Sequence, residues 1–79
     1  MGIFARGEFL DQNDERVTYR FGDASEEWHG VVEIPVNDVW AWRVAGSDAR
    51  PRSAEAVVVK IIRYYDRTGT WPPMAFFQS

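Results

Sequence analysis

The hydrophobic rhythm of this chain changes near its middle, and that change limits the folds open to it. Up to Ala45 the apolar residues mostly alternate, as in Val17-Thr18-Tyr19-Arg20-Phe21. After Ser53 they recur every three or four residues, at Ala54, Val57, Val58, Ile61, Ile62 and Tyr65. Period two is the spacing of a half-buried strand, whose successive side chains point to opposite faces of a sheet. A spacing of three to four marks one face of a helix. The order therefore predicts strands first and a helix second: an α+β domain with an antiparallel sheet of three to five strands and one helix over about 54–68.

A chain of 79 residues has room for one core, so residues 1–79 are expected to form a single domain. A domain this small buries only about 60% of the surface its unfolded chain exposes. Large rings must supply the core: the chain has four Trp, three Tyr and five Phe, and no Cys to form disulfides. No apolar run approaches the roughly 20 residues of a membrane helix. The start, Met1-Gly2-Ile3-Phe4-Ala5-Arg6, lacks the pattern of a signal peptide or a myristoylation site, so the expected location is cytoplasmic. The formal net charge of −3 disfavours nucleic acid as a partner. Ten of the twelve acids lie before Ala49, whereas Arg50, Arg52, Lys60, Arg63 and Arg67 follow it, which predicts an acidic sheet and a basic helix.

Along the chain, strands are expected at Phe4–Leu10, Arg16–Phe21 and Trp28–Ile34, with turns between them and Pro35 ending the third. Val39–Ala45 reads as a fourth strand that places Trp40 and Trp42 on one side; alternatively, Asn37-Asp38 caps a short helical turn. Ser53 is the expected helix N-cap and Gly69 the stop, with Trp71 folding back on the helix end. The β-branched run Val57-Val58-Val59 leaves a strand over 56–62 as the competing reading. Met74–Phe77 is either a last edge strand or an exposed apolar tail. The expected core is Val17, Tyr19, Phe21, Val32, Ile34, Trp42, Val57, Val58, Ile61 and Tyr65.

Residues that could carry chemistry are sparse. His29 is the only histidine; its neighbours Asp23, Glu26, Glu27 and Glu33 could make a His–carboxylate pair, but an isolated histidine on a hairpin flank is more often a solvated residue. The six glycines are dispersed rather than gathered in a phosphate loop, and no serine sits in a nucleophile motif. No catalytic residue, metal ligand, cofactor or small-molecule substrate is therefore expected. What stands out is aromatic surface chemistry. Trp40-Ala41-Trp42-Arg43, with Tyr19 and Phe21 on a neighbouring strand, offers either core rings, a protein-binding hot spot or a platform for unpaired bases. Lys60, Arg63 and Arg67 share one helix face. The apolar Met74-Ala75-Phe76-Phe77 could pair with another chain's sheet.

The hairpin before Gly30-Val31-Val32-Glu33-Ile34-Pro35, followed by a helix closing on Ile61-Ile62-Arg63-Tyr64-Tyr65-Asp66-Arg67-Thr68-Gly69-Thr70-Trp71-Pro72, resembles small uncharacterised bacterial proteins, some of immunity-protein type. That resemblance implies an interaction protein and assigns no residue a role. The functional expectation is a non-enzymatic protein-binding module, immunity-like or homodimeric, with Trp40, Arg43, Phe76 and Phe77 as candidate partner-binding residues. The alternative is single-stranded nucleic-acid binding on an aromatic sheet face.

Overall fold

The computed structural model describes residues 4–25 and 27–78; Glu26 and both termini lie outside the described residues. Five strands and one helix follow in the order β1 (Phe4–Gln12), β2 (Arg16–Gly22), β3 (Trp28–Pro35), β4 (Arg43–Val44), α1 (Arg52–Thr68) and β5 (Met74–Gln78). The sheet order is β4-β3-β2-β1-β5, and every neighbouring pair is antiparallel. The chain thus runs a meander outward through β1, β2 and β3, crosses the sheet as α1, and returns beside β1.

Local chemistry sets the turns. Asn13 Oδ1 accepts from the backbone N–H groups of Glu15 and Arg16 at 2.8 and 2.9 Å, which closes the β1–β2 hairpin. A register shift between Phe9 and Asp11 lets β1 run two residues past its expected end at Leu10. Asp23 Oδ1 does for the β2–β3 turn what Asn13 does for the first, accepting from Ser25 N–H at 2.8 Å.

The alternation read from the sequence holds. Ala5 and Gly7 of β1, Val17, Tyr19 and Phe21 of β2, Val32 and Ile34 of β3, Val44 of β4 and Ala75 of β5 face one side of the sheet, and the side chains among them are buried. Helix α1 covers β1, β5 and β2 with Ala54, Val57, Val58, Ile61 and Ile62. Burial of each Val or Ile contributes about 1.5–3 kcal/mol, which outweighs the few tenths lost by placing β-branched residues in a helix. The helix stops at Gly69, whose φ of 77° is left-handed and whose N–H donates to Tyr65 O at 2.8 Å. Trp71 folds back as expected and stacks on Tyr65, ring centroids 4.1 Å apart.

Three expectations need correction. Residues 39–45 do not form one strand, and the alternative of a short helical turn after Asn37-Asp38 holds instead. Val39–Ala41 is a 3-10 turn, closed by Ala41 N–H donating to Asp38 O at 3.0 Å, and β4 is only two residues long. Arg50 holds this turn by donating to the carbonyls of Trp40 and Trp42 at 3.1 and 2.7 Å. The two tryptophans consequently part: Trp42 is buried in the core, at the end of the sheet away from the strands that α1 chiefly covers, and Trp40 is 55% exposed. The helix also starts earlier than Ser53. Pro51 occupies the cap position, its carbonyl accepts from Glu55 N–H at 3.0 Å, and Ser53 lies inside the first turn. Tyr65 is half-buried rather than in the core, because its ring is spent on Trp71.

Position 7 sets how closely the helix approaches. A Cβ there would lie 2.5 Å from Val57 Cγ1, well inside contact distance. Gly7→Ala should therefore destabilise the fold by about 1–3 kcal/mol, as overpacking does, read as a lower urea midpoint. Unchanged stability would mean that the helix does not seat there.

Candidate binding surface

The second face of the sheet carries no helix. It presents Phe4, Arg6, Glu8 and Asp11 of β1, Arg16, Thr18 and Arg20 of β2, Val31 and Glu33 of β3, Arg43 of β4, and Met74 and Phe76 of β5. Most of its charges are paired within the face: Arg20 with Glu8, and Arg16 and Arg43 with Glu33 at 3.4 and 3.9 Å. The guanidinium groups of Arg6 and Arg20 lie 4.1 and 4.2 Å from the centroid of the Trp28 ring. An indole face attracts positive charge, which suits their Nε atoms, both shielded from solvent and without a hydrogen-bond partner among the described residues. Gly22 leaves room for the backbone that leads into Trp28: a Cβ there would lie 2.9 Å from Glu27 O, whereas its 3.5 Å approach to the ring is ordinary contact. The acidic-sheet expectation is also revised, since this face holds four arginines against three acids, Glu8, Asp11 and Glu33, while most of the other acids sit in turns.

The two edges of the sheet differ. β4 offers two residues, one of them Arg43. β5 offers five uncharged residues, 46% exposed at Met74 and 53% at Phe76, and the Phe76 ring lies 6.5 Å from Phe4. The register decides which backbone groups of β5 are free. Phe9 N–H donates to Pro73 O at 3.0 Å, so the hydrogen-bonded pairs along β1 and β5 are Phe9–Pro73, Gly7–Ala75 and Ala5–Phe77. The N–H and C=O groups of Met74, Phe76 and Gln78 consequently point away from β1, along the free edge.

Beside that edge runs a groove of about 410 Å³. Its helical wall is Lys60, Arg63, Tyr64 and Arg67, one face of α1 at i, i+3, i+4 and i+7. Its other wall is β5 from Met74 to Phe76, with Pro72 at the end. No acid lines it, and among the described residues none of its three cations makes an ion pair.

The four residues singled out from the sequence therefore do not form one patch. Trp40 and Arg43 belong to the β4 edge, and Phe76 lies on the open face at the β5 edge. Phe77, next to Phe76, points to the helix side and packs half-buried against the core. Of the rings that a base-stacking face would use, Tyr19, Phe21 and Trp42 are buried and Trp40 alone is exposed, so they form no continuous platform. His29 and Asp23 do approach each other, at 3.4 Å, on the exposed β2–β3 turn. The Ser25 N–H, followed by the Ser25 hydroxyl and the His29 charge, holds the Asp23 carboxyl below its usual range, which makes it a weak proton acceptor. Among the described residues there is no cluster of three or more His, Cys, Asp or Glu placed to hold a metal, and no helix long and apolar enough to cross a membrane.

Sequence reasoning found the basic helix face and the apolar terminal segment but not their juxtaposition, which depends on β5 returning beside β1. It also missed Arg6, whose period-two position between Ala5 and Gly7 was the available signal, and Trp28, which shares the parity of Val32 and Ile34 and reaches the open face only through the register shift between Phe21 and Gly22. No protein-family model, curated protein or solved structure matches the chain.

Tyr19 ties the β5 edge to the core. Its hydroxyl, in the middle of the sheet, donates to the carbonyl of Pro72 at the entry to β5, and its ring meets Phe9 edge-on at 5.7 Å. Burial pushes the phenol's ionisation well above its ordinary range. The fold accepts only the neutral phenol, so this group's contribution is complete below its unfolded pKa of about 10 and is lost as the pH climbs beyond it. Tyr19→Phe leaves the Pro72 carbonyl unpaired and should cost about 1–3 kcal/mol at neutral pH. It should also flatten the fall of stability between about pH 9 and 11, measured by urea unfolding at each pH. An equally steep alkaline fall in the variant would show that Tyr19 is not its source.

Proposed function

We propose that this protein is a non-enzymatic protein-binding module whose partner engages the β5 side of the sheet. The observation that carries this reading is the exposed apolar edge formed by Met74 and Phe76 with Phe4 beside them, in a chain whose other large rings are mostly buried or stacked. Exposed aromatic groups flanked by arginine are the usual composition of a binding hot spot, and an uncharged sheet edge is a template for a further strand. The resemblance of the last third of the chain to small uncharacterised bacterial proteins, some of immunity type, fits the same reading, and the absence of Cys suits a reducing cytoplasm.

The nucleic-acid alternative has less support. On the open face Arg16, Arg20 and Arg43 are matched to acids, and Arg6 donates to Ser25 O at 2.8 Å while it covers Trp28. Little cationic surface remains there for phosphates.

Capture of partners from nuclease-treated lysate, read by mass spectrometry, should yield a stoichiometric protein that Phe76→Ala retains at least about tenfold less well, a loss of about 1.4 kcal/mol or more. Trp40→Ala, at the far edge, should retain it fully. Capture that is empty until nuclease is omitted, and then brings down nucleic acid, would replace this reading with the alternative.

A further inference from the structure

The groove between α1 and the β5 edge combines three features that bear on the partner's chemistry. Its strand wall is an unpaired edge along which the N–H and C=O groups of Met74 and Phe76, and of Gln78 just beyond the groove, point outward. The helical wall carries Lys60, Arg63 and Arg67, none of which makes an ion pair among the described residues, and the Arg67 guanidinium lies 5.6 Å from the centroid of the Tyr64 ring. On the opposite side, the open face at this edge carries the apolar side chains of Met74 and Phe76. We propose that this groove accepts an extended acidic segment of another protein by β-strand addition, pairing it with β5 as a sixth strand.

The alternation of a strand turns this into a sequence pattern. Side chains of the added strand point alternately to the helix side and to the open face, with same-face neighbours about 6.8 Å apart. Those on the helix side meet Lys60, Arg63 and Arg67; those on the open side meet Met74 and Phe76. The groove therefore selects an acid at every second position and an apolar or β-branched residue between. Main-chain hydrogen bonds to β5 supply affinity, and the two side-chain rows supply selectivity.

Charge also decides against a second copy of this chain as the occupant. Antiparallel pairing of β5 with its own symmetry mate, about a two-fold axis perpendicular to the sheet, would place both helices on the same side of one continuous sheet. Lys60, Arg63 and Arg67 of each copy would then line one shared gap with no acid between them. Like charges brought together in this way oppose the pairing, whereas a strand bearing glutamates or aspartates relieves the same cations.

This inference rests on the binding-module reading and specifies its mode. The test is titration of the ¹⁵N-labelled protein at low salt with a blocked heptapeptide alternating glutamate and valine, and with its lysine–valine counterpart. The acidic peptide should shift the amides of Met74, Phe76 and Gln78 and those of the facing helix residues, and added salt should weaken it. Arg63→Glu/Arg67→Glu, both exposed on α1, should reduce its affinity at least tenfold. Phe76→Pro removes an N–H that faces away from β1, at an edge where proline is tolerated, and should abolish binding, while Phe76→Ala should only weaken it. The proposal is overturned if the acidic peptide produces no shift at millimolar concentration, or if the lysine peptide binds equally well. It is also overturned if a single-stranded oligothymidylate takes the groove in the peptide's place, or if the protein alone dimerises through β5 in sedimentation. Should the peptide fail while lysate capture still depends on Phe76, strand addition falls and the binding-module reading stands.

Discussion

The structure depends on how closely α1 lies on β1, and that closeness depends on position 7 having no side chain. A Cβ on residue 7 would collide with Val57, and Ala5 and Ala75, which flank it on β1 and β5, are also small. With the helix seated low over β1, β5 and β2, its width is used up on that half of the sheet. The β3–β4 half then needs another cover, which Trp42 and the neighbouring Val39 provide. The 3-10 turn at Val39–Ala41 and the arginine that clamps it follow from that need, because they aim Trp42 inward. Of the large rings this arrangement buries Tyr19, Phe21 and Trp42, packs Phe9, Trp71 and Phe77 partly buried against the core, and leaves Trp40 and Phe76 exposed.

The same seating creates the surface on which the functional reading rests. A helix docked over β1 and β5 projects its next face beyond the sheet, and that face carries Lys60, Arg63 and Arg67. The arginines of the open sheet face have acids or an indole beside them, whereas these three do not. Two edges of one sheet thus acquire opposite characters. β4 is short and carries a charged residue, a form that resists further pairing, whereas β5 is longer, uncharged and bordered by unneutralised cations.

The strand pattern and the helix were legible because burial enforces periodicity. Val17, Tyr19, Phe21, Val32 and Ile34 alternate in the sequence because one face of the sheet is covered, by the helix and by Trp42 with Val39, and Ala54 to Ile62 follow helical spacing because one face of the helix is buried. Residues 39–45 misled because Trp40 and Trp42 alternate as a strand would. Their conformation is set by Asp38 and by Arg50, which comes eight residues after Trp42 in the chain. The binding surface was legible only in parts. The basic helix face and Met74–Phe77 are each visible locally, but whether they meet depends on the sheet order. Pairing of the last strand with the first is a non-local choice that local spacing does not encode.

The central claim is that β5 is a terminal strand whose outward backbone groups are unpaired. Residue-resolved amide hydrogen exchange on the dilute, unliganded protein tests it most directly. Ala75 and Phe77, bonded to Gly7 and Ala5, should be protected, whereas Met74, Phe76 and Gln78 should exchange close to the rate of an open chain. Protection of all five amides would contradict the account, because β5 would then lie inside a sheet rather than at its edge.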